Sequence, residues 1–298
     1  MGKVIDLEIG MPKTTTTSQA AEINRGRPGT PSAYSVPRPE GYGFDNYGLI
    51  FGAGDPNAAP LPDNALDDVV AEMDKSDVEF GLMVNMPNDE IGQIHRDYPG
   101  RFKLYPALNP MDGMRAVREL ERLVREEGAN GFRVSSLYTC LPASDRRYYP
   151  LYAKCCELGV PVRIYTAMTY ANDRSYELGH PRHLDDICID FPELKVCAGL
   201  AGWPWITDMV GLLRRHPNLY CDTAAHRPRY LSKEGSGWEL FLQYGNSLLQ
   251  DKVMIGFSRY LFGCGYDELI DEIHQLPLKE AVVEKWLYGN AVEFFGDT

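Results

Sequence analysis

Short apolar runs alternate with stretches of helical period from one end of the chain to the other. The runs fall at Lys3–Glu8, Val78–Val84, Phe102–Leu108, Asn130–Ser135, Pro161–Thr166, Leu194–Gly199, Asn218–Thr223 and Lys252–Gly256. Each is nearly continuously apolar, as expected of parallel strands covered by helices on their outer face. Between them, Met111–Glu127 has the clearest helical period. Val117, Leu120 and Val124 form an apolar stripe, and Arg118, Arg122, Arg125 and Glu126 fill the opposite face. Asn109-Pro110 supplies a cap and a first-turn proline for that helix. Eight such strand–helix units suit a closed barrel better than an open sheet, and no GxGxxG follows the first run. The expected fold is an α/β (β/α)8 TIM barrel in which one domain spans residues 1–298.

One connection is far longer than the rest. Residues 11–61 are rich in Thr, Pro and Gly and follow the first strand, so in a barrel they would hang over the C-terminal mouth, where active sites lie. This segment is read as a lid, with Tyr34, Tyr42, Phe44 and Tyr47 as candidate pocket walls. A plain surface loop is the alternative.

Composition narrows the function classes. Lys and Arg total 30 against 42 Asp and Glu, a formal charge of −12, which argues against a nucleic-acid partner. A small anionic substrate is still allowed, because it responds to local rather than net charge. The 7 cysteines form no CxxC pair, and Cys197 and Cys221 lie in apolar runs, so reduced thiols are expected. The start, MGKVIDLEIG, lacks the basic and long apolar parts of a signal peptide. No stretch approaches the roughly 18 apolar residues of a membrane span. A cytoplasmic protein without a membrane partner is the expectation.

Several segments in order along the chain resemble the amidohydrolase-2 family: VIDLEIG, FKLYPALNP, GANGFRVSS, LGVPVRIYT, FPELKVCAGLAGWPW, HPNLYCDTAA, VMIGFS and YGNAVEFFG. The resemblance implies a metal-dependent hydrolase or decarboxylase acting on carboxylated, often aromatic, small molecules. Its usual metal ligands are absent at the matching positions. Glu8 and Gly10 stand where the family carries His-x-His, Tyr165 and Gly199 replace histidines after strands five and six, and Ser258 replaces an aspartate after strand eight. Glu8 alone is a good ligand for a hard cation, and one donor does not make a stable site. No metal held in the family's manner, and no other cofactor, is therefore expected. His180 and His183 open a helix and are read as capping or packing groups; His95, His216 and His274 have no partner spacing.

Chemistry in such a barrel comes from residues at the strand ends. The candidates are Glu8, Asn85, Asn109, Arg133, Ser135, Arg163, Tyr165, Asp222, His226, Ser258 and Arg259. Alternation puts Arg133 with Ser135, and Arg163 with Tyr165, on one face of their strands. An arginine turned into the mouth needs a partner, either an internal carboxylate such as Glu8 or Asp222 or an anionic substrate. His226 is the histidine nearest the mouth and has the pKa range for general acid–base work. In GLAGWPWITDMV, the glycines Gly199 and Gly202 permit close backbone approach and Pro204 is expected at the first helical position. That corner would aim N–H groups at an anion, and Trp203 or Trp205 could stack on a planar substrate.

The leading reading is a metal-independent enzyme that hydrolyses a small carboxylated, cyclic or aromatic substrate or cleaves a carbon–carbon bond in it. Glu8, His226, Asp222 and Tyr165 are its catalytic candidates, and Arg133, Arg163, Trp203 and Ser258 would bind substrate. A second reading is a catalytically silent binding or partner subunit, marked by an unoccupied or apolar-filled mouth with Glu8 and Arg133 locked together and no accessible cavity. A third has metal held by Glu8, Asp222 and His226. Assembly into a homo-oligomer is compatible with the resemblance.

Overall fold

The computed structural model describes residues 2–9, 65–83 and 86–296. The lid-like segment with Tyr34, Tyr42, Phe44 and Tyr47, and the candidates Gly10 and Asn85, lie outside the described residues. Eight parallel strands are present: β1 (Val4–Ile9), β2 (Val78–Met83), β3 (Phe102–Leu104), β4 (Phe132–Val134), β5 (Val162–Tyr165), β6 (Val196–Gly199), β7 (Leu219–Asp222) and β8 (Val253–Met254). Seven fall inside their expected apolar runs, and β1 extends one residue past its run, to Ile9. Helices α1 (Ala65–Lys75), α2 (Ile91–Asp97), α3 (Met114–Glu126), α4 (Tyr149–Leu158), α5 (His183–Asp190), α6 (Ile206–Arg215), α7 (Glu239–Gly245) and α8 (Tyr266–His274) follow the strands of the same number. A further helix, α9 (Asn290–Phe295), ends the chain.

The ladders run β1-β2-β3 and β4-β5-β6-β7-β8, and two seams join them into a ring. At one seam Arg133 N donates to Pro106 O at 3.0 Å, beside a parallel bridge between Ala107 and Arg133. At the other, Leu7 N donates to Ile255 O at 2.8 Å. The chain folds as a (β/α)8 barrel, as the alternation of periods required.

Strand alternation sorts the core into two layers. Val4, Phe132, Val134, Val162, Ile164 and Val196 belong to the larger cluster, packed under the helices. Ile5, Leu7, Phe80, Leu82, Tyr105, Cys197, Tyr220 and Met254 fill the barrel itself. Ala291 and Phe294 of α9 join this inner cluster, and Phe294 stands 5.2 Å from the Tyr220 ring, so the last helix stoppers the end where the strands begin. At that end Lys103 is covered by aromatic rings, its ammonium 5.0 Å from the Phe80 centroid and 5.5 Å from that of Phe295, and Glu8, Arg163 and Asp222 cluster at the other end.

In α3 the buried residues are Ala116, Val117, Leu120 and Leu123, with Val124 half-covered. Asn109 does cap, its side chain accepting from Met111 N at 3.0 Å, but the turn it caps is the short one at Pro110–Asp112, and Gly113 separates that turn from the helix. Pro204 also falls outside its expected place, because α6 begins two residues later, at Ile206.

Asp6 ties β1 to β8 beside the second seam. One carboxylate oxygen accepts from Glu8 N at 2.8 Å and Phe257 N at 2.9 Å, and the other accepts from the Tyr266 hydroxyl at 2.9 Å. Asp6 has no exposed surface, and burial pushes its carboxyl up to about 6 despite these three hydrogen bonds. Because the folded value lies above the unfolded one, protonated Asp6 stabilises the fold at low pH, and that contribution is lost as pH rises from about 4 to about 6. Asparagine keeps all three contacts if Tyr266 turns acceptor. The Asp6→Asn variant should therefore gain on the parent by about 2 kcal/mol between pH 4 and pH 7, as read by urea denaturation at both values. A difference that does not change with pH would refute this.

Candidate active site

The mouth is organised around Arg163. β5 turns this residue inward, and its register pairs it with Arg133 on β4 and Cys197 on β6. Its Nε donates to Asp222 Oδ2 at 2.6 Å, and its Nη2 donates both to Asp222 Oδ1 at 3.0 Å and to Glu8 Oε2 at 2.5 Å. Burial alone would lower the guanidinium pKa, but the charges of Asp222 and Glu8 more than reverse this and hold it above its ordinary value. Asp222 is fully committed: it also accepts from Leu200 N at 3.1 Å, Ala224 N at 3.0 Å and Cys197 Sγ at 3.4 Å. The anion taken by the GLAGWPW corner is thus an internal carboxylate, bound by Leu200 N.

Gly199 explains why one arginine fits here. A Cβ at this position would stand 2.9 Å from Arg163 Cζ, so any larger side chain would evict the guanidinium. Gly202 is tight for another reason: its φ is +79° and a Cβ would meet Pro181 Cγ at 2.8 Å. Both glycines allow the close approach expected of them.

Glu8 is held from its other side by Ser258, whose hydroxyl donates to Oε1 at 3.2 Å and accepts from Ala225 N at 2.8 Å. Ser258 has φ +47°, and Ala225 (+60°), Leu200 (+70°) and Ala201 (+46°) are also left-handed. Four non-glycine residues in a strained conformation thus adjoin one polar cluster.

His226 lies beyond β7 with its ring 4.9 Å from Trp238 and 5.9 Å from Trp203. Its Nε2 is buried without a hydrogen-bond partner. Burial drives the imidazole down to about 4, against the opposing pull of Asp222 and the Leu200 carbonyl, so the ring is neutral at physiological pH. Arg133 is half-buried, with its guanidinium 5.3 Å from the Tyr138 ring; Glu8 is locked to Arg163 and not to Arg133 as expected, because the register of β5 brings Arg163 to the end of β1. The Tyr165 hydroxyl donates to Met168 O at 2.7 Å.

Other candidates serve the scaffold. Arg259 faces Glu72 at 3.6 Å and the rings of Tyr260 and Tyr266. Trp205 packs on His180 at 4.3 Å, and His183 meets Ser144 at 3.2 Å. Ser135 is buried with its hydroxyl unpartnered. All 7 cysteines are free thiols. Sequence reasoning missed Asp6; the only signal for it was an acidic residue inside an apolar run.

A family model described as amidohydrolase matches residues 52–296. The chain belongs to the amidohydrolase-2 family. A curated relative of this amidohydrolase, a 2-amino-3-carboxymuconate-6-semialdehyde decarboxylase from Dictyostelium discoideum, is 23% identical over 276 residues, covering 76% of this chain and 75% of its own. Among solved structures, an uncharacterised TIM-barrel protein from Bordetella bronchiseptica matches with a TM-score of 0.71 and 23% identity, covering 98% of both chains. A 5-carboxyvanillate decarboxylase from Novosphingobium aromaticivorans, complexed with manganese and 4-hydroxy-3-methoxy-5-nitrobenzoic acid, matches at 0.65 and 15%, covering 98% of this chain and 96% of its own.

The mouth of this amidohydrolase does not fit a divalent cation held in the family's manner. Among the described residues no group of three His, Cys, Asp or Glu side chains is placed to hold a metal ion, and a guanidinium already occupies the space between Glu8 and Asp222. His226 packs between two tryptophans rather than against those carboxylates.

Removing Arg163 would strand two carboxylates in the barrel. Arg163→Met should destabilise by about 3–5 kcal/mol, and adding Asp222→Leu should restore part of the loss. Urea denaturation tests both. A single variant as stable as the parent would show that the pair carries no weight.

Proposed function

We propose that this amidohydrolase-2 barrel releases CO2 from a small carboxylated aromatic or cyclic acid without a bound metal. The observation that carries the reading is the Arg163 guanidinium fixed between Glu8 and Asp222, where the resemblance places a metal. Support for the reaction class comes from the two relatives named as decarboxylases, one of a carboxymuconate semialdehyde and one of a carboxyvanillate.

The reaction R–COO⁻ + H⁺ → R–H + CO2 breaks one carbon–carbon bond and consumes one proton. Arg133 and Arg163, register neighbours on the inward face, hold the substrate carboxylate between them. Of the trio, Glu8 has the most exposed side chain, 19% against 5% for Arg163 and 0% for Asp222, and it relays the proton. Asp222 acts at a distance, by fixing Arg163. His226, neutral above its value of about 4, accepts a proton or hydrogen bond rather than storing a proton. Trp203 offers an aromatic face beside it. Tyr165 spends its proton on Met168 O. Carbon–carbon cleavage suits this site better than hydrolysis, because a guanidinium stabilises charge but does not turn water into hydroxide.

A silent barrel is the second reading, favoured by the mutual satisfaction of Glu8, Arg163 and Asp222. Both are tested by assaying CO2 release from hydroxybenzoates, carboxyvanillate and carboxymuconate semialdehydes with and without strong chelator. Turnover should be indifferent to chelator, and Arg133→Met should raise KM by about tenfold or more. Activity that collapses with chelator and returns with manganese sinks the metal-free mechanism. No turnover of any acid leaves the silent barrel standing.

A further inference from the structure

We infer that the outer fork of Arg163, its Nη1 and Nη2 edge, is a carboxylate-binding subsite whose resident occupant is Glu8, displaceable by the carboxylate of a ligand. This deepens the proposed function, since it rests on the mouth receiving a carboxylic acid.

A guanidinium offers five N–H donors, and their use here is uneven. The Nε–H and one Nη2 hydrogen grip both oxygens of Asp222, at 2.6 and 3.0 Å, in a side-on bidentate pair. The second Nη2 hydrogen goes to Glu8 Oε2 at 2.5 Å. Among the described residues Nη1 donates no hydrogen bond. Asp222 thus fills the inner edge with two contacts, while Glu8 fills the outer edge with one. A carboxylate seated end-on would engage Nη1 and Nη2 together, two contacts where Glu8 makes one, in the geometry guanidinium–carboxylate pairs favour.

Glu8 is also the member able to leave. Asp222 is wholly buried and accepts from Leu200 N and Ala224 N as well, whereas the Glu8 side chain is 19% exposed. β1 is bulged around it: Asp6 and Ile9 pair with Gly81 and Met83, three steps against two, so Glu8 stands outside the regular ladder. Its other tether is the single bond from Ser258 at 3.2 Å. Exchange of one carboxylate for another leaves the charge on Arg163 compensated. The displaced Glu8 then faces the incoming anion, so its own charge opposes binding.

The test is binding of benzoate and of 2-hydroxybenzoate, followed by calorimetry and thermal shift at pH 7.5, with benzamide as the neutral isostere. Glu8→Gln should bind both carboxylates about tenfold tighter than the parent or better, with no gain for benzamide. Glu8→Ala should be stabilised by benzoate far more than the parent is. If neither variant folds, Ser258→Ala, which cuts the second tether, should tighten benzoate binding in the same sense. Affinity unchanged or weakened in every folded variant, an equal gain for benzamide, or no carboxylate binding at all overturns the inference. Turnover plays no part in the readout. Benzoate bound tighter by Glu8→Gln, with no acid decarboxylated by the parent, would overturn the proposed function and keep the subsite.

Discussion

A positive charge placed inside a barrel of strands is the constraint around which this mouth is built. Taking a guanidinium and two carboxylates out of water costs several kcal/mol per ion, and attraction offsets that only if the geometry is good and the remaining lone pairs are satisfied. Here they are. Asp222 accepts from Arg163, from Cys197 Sγ and from two backbone amides, and Glu8 accepts from Arg163 and Ser258. Each partner comes from a different strand end, so β1, β5, β6, β7 and β8 must all hold register for the cluster to exist.

The backbone strain around the cluster follows from the same requirement. Leu200 and Ala225 sit at φ +70° and +60°, and these are the residues whose amides reach Asp222 and Ser258 Oγ. A left-handed corner turns an N–H back toward the end of its own strand. The conformations cost on the order of 1–3 kcal/mol each for non-glycine residues and persist only where surroundings over-determine them. Ser258 does two jobs, since its left-handed backbone brings the hydroxyl between Ala225 N and Glu8. Among the described residues, four of the six left-handed non-glycine residues adjoin this cluster, and the other two, Asp77 and Cys140, lie elsewhere.

Much of this could be read from the chain before any coordinates. Strands announce themselves by unbroken apolar runs, and seven lie within theirs while β1 passes its own by one residue, Ile9. The arginine–carboxylate pairing in the mouth follows from alternation and the cost of an unpaired charge, and Arg163, Glu8 and Asp222 do meet. What stayed hidden depends on pairs far apart in sequence. Gly199 reads as a lost ligand until the register of β5 on β6 sets it against the Arg163 guanidinium. Asp6 reads as an acidic residue in an apolar strand until Tyr266 and Phe257 N arrive from the other end of the chain. The start of α6 was misplaced because Pro204 lies in the turn before the helix, a place no local preference distinguishes from its first residue.

Under the proposed function, the exchange of a metal-type centre for a guanidinium also changes what a barrel of this family is fitted to do. A divalent cation carries two charges, polarises any ligand that reaches it and lowers the pKa of bound water. A guanidinium carries one charge, keeps its protons at any working pH and acts only along the directions of its N–H bonds. Hydrolysis depends on activated water and loses most by the exchange. Decarboxylation needs the acid to be oriented and a proton to be delivered to carbon, and directional donors supply the first of these well. Arg163 is already turned edge-on, with Asp222 fixing its inner side and Glu8 its outer side, so its plane is set before a ligand arrives. On that proposal, the cluster that removes the means of making hydroxide retains the means of holding a carboxylate, and this is the ground for preferring carbon–carbon cleavage over addition of water.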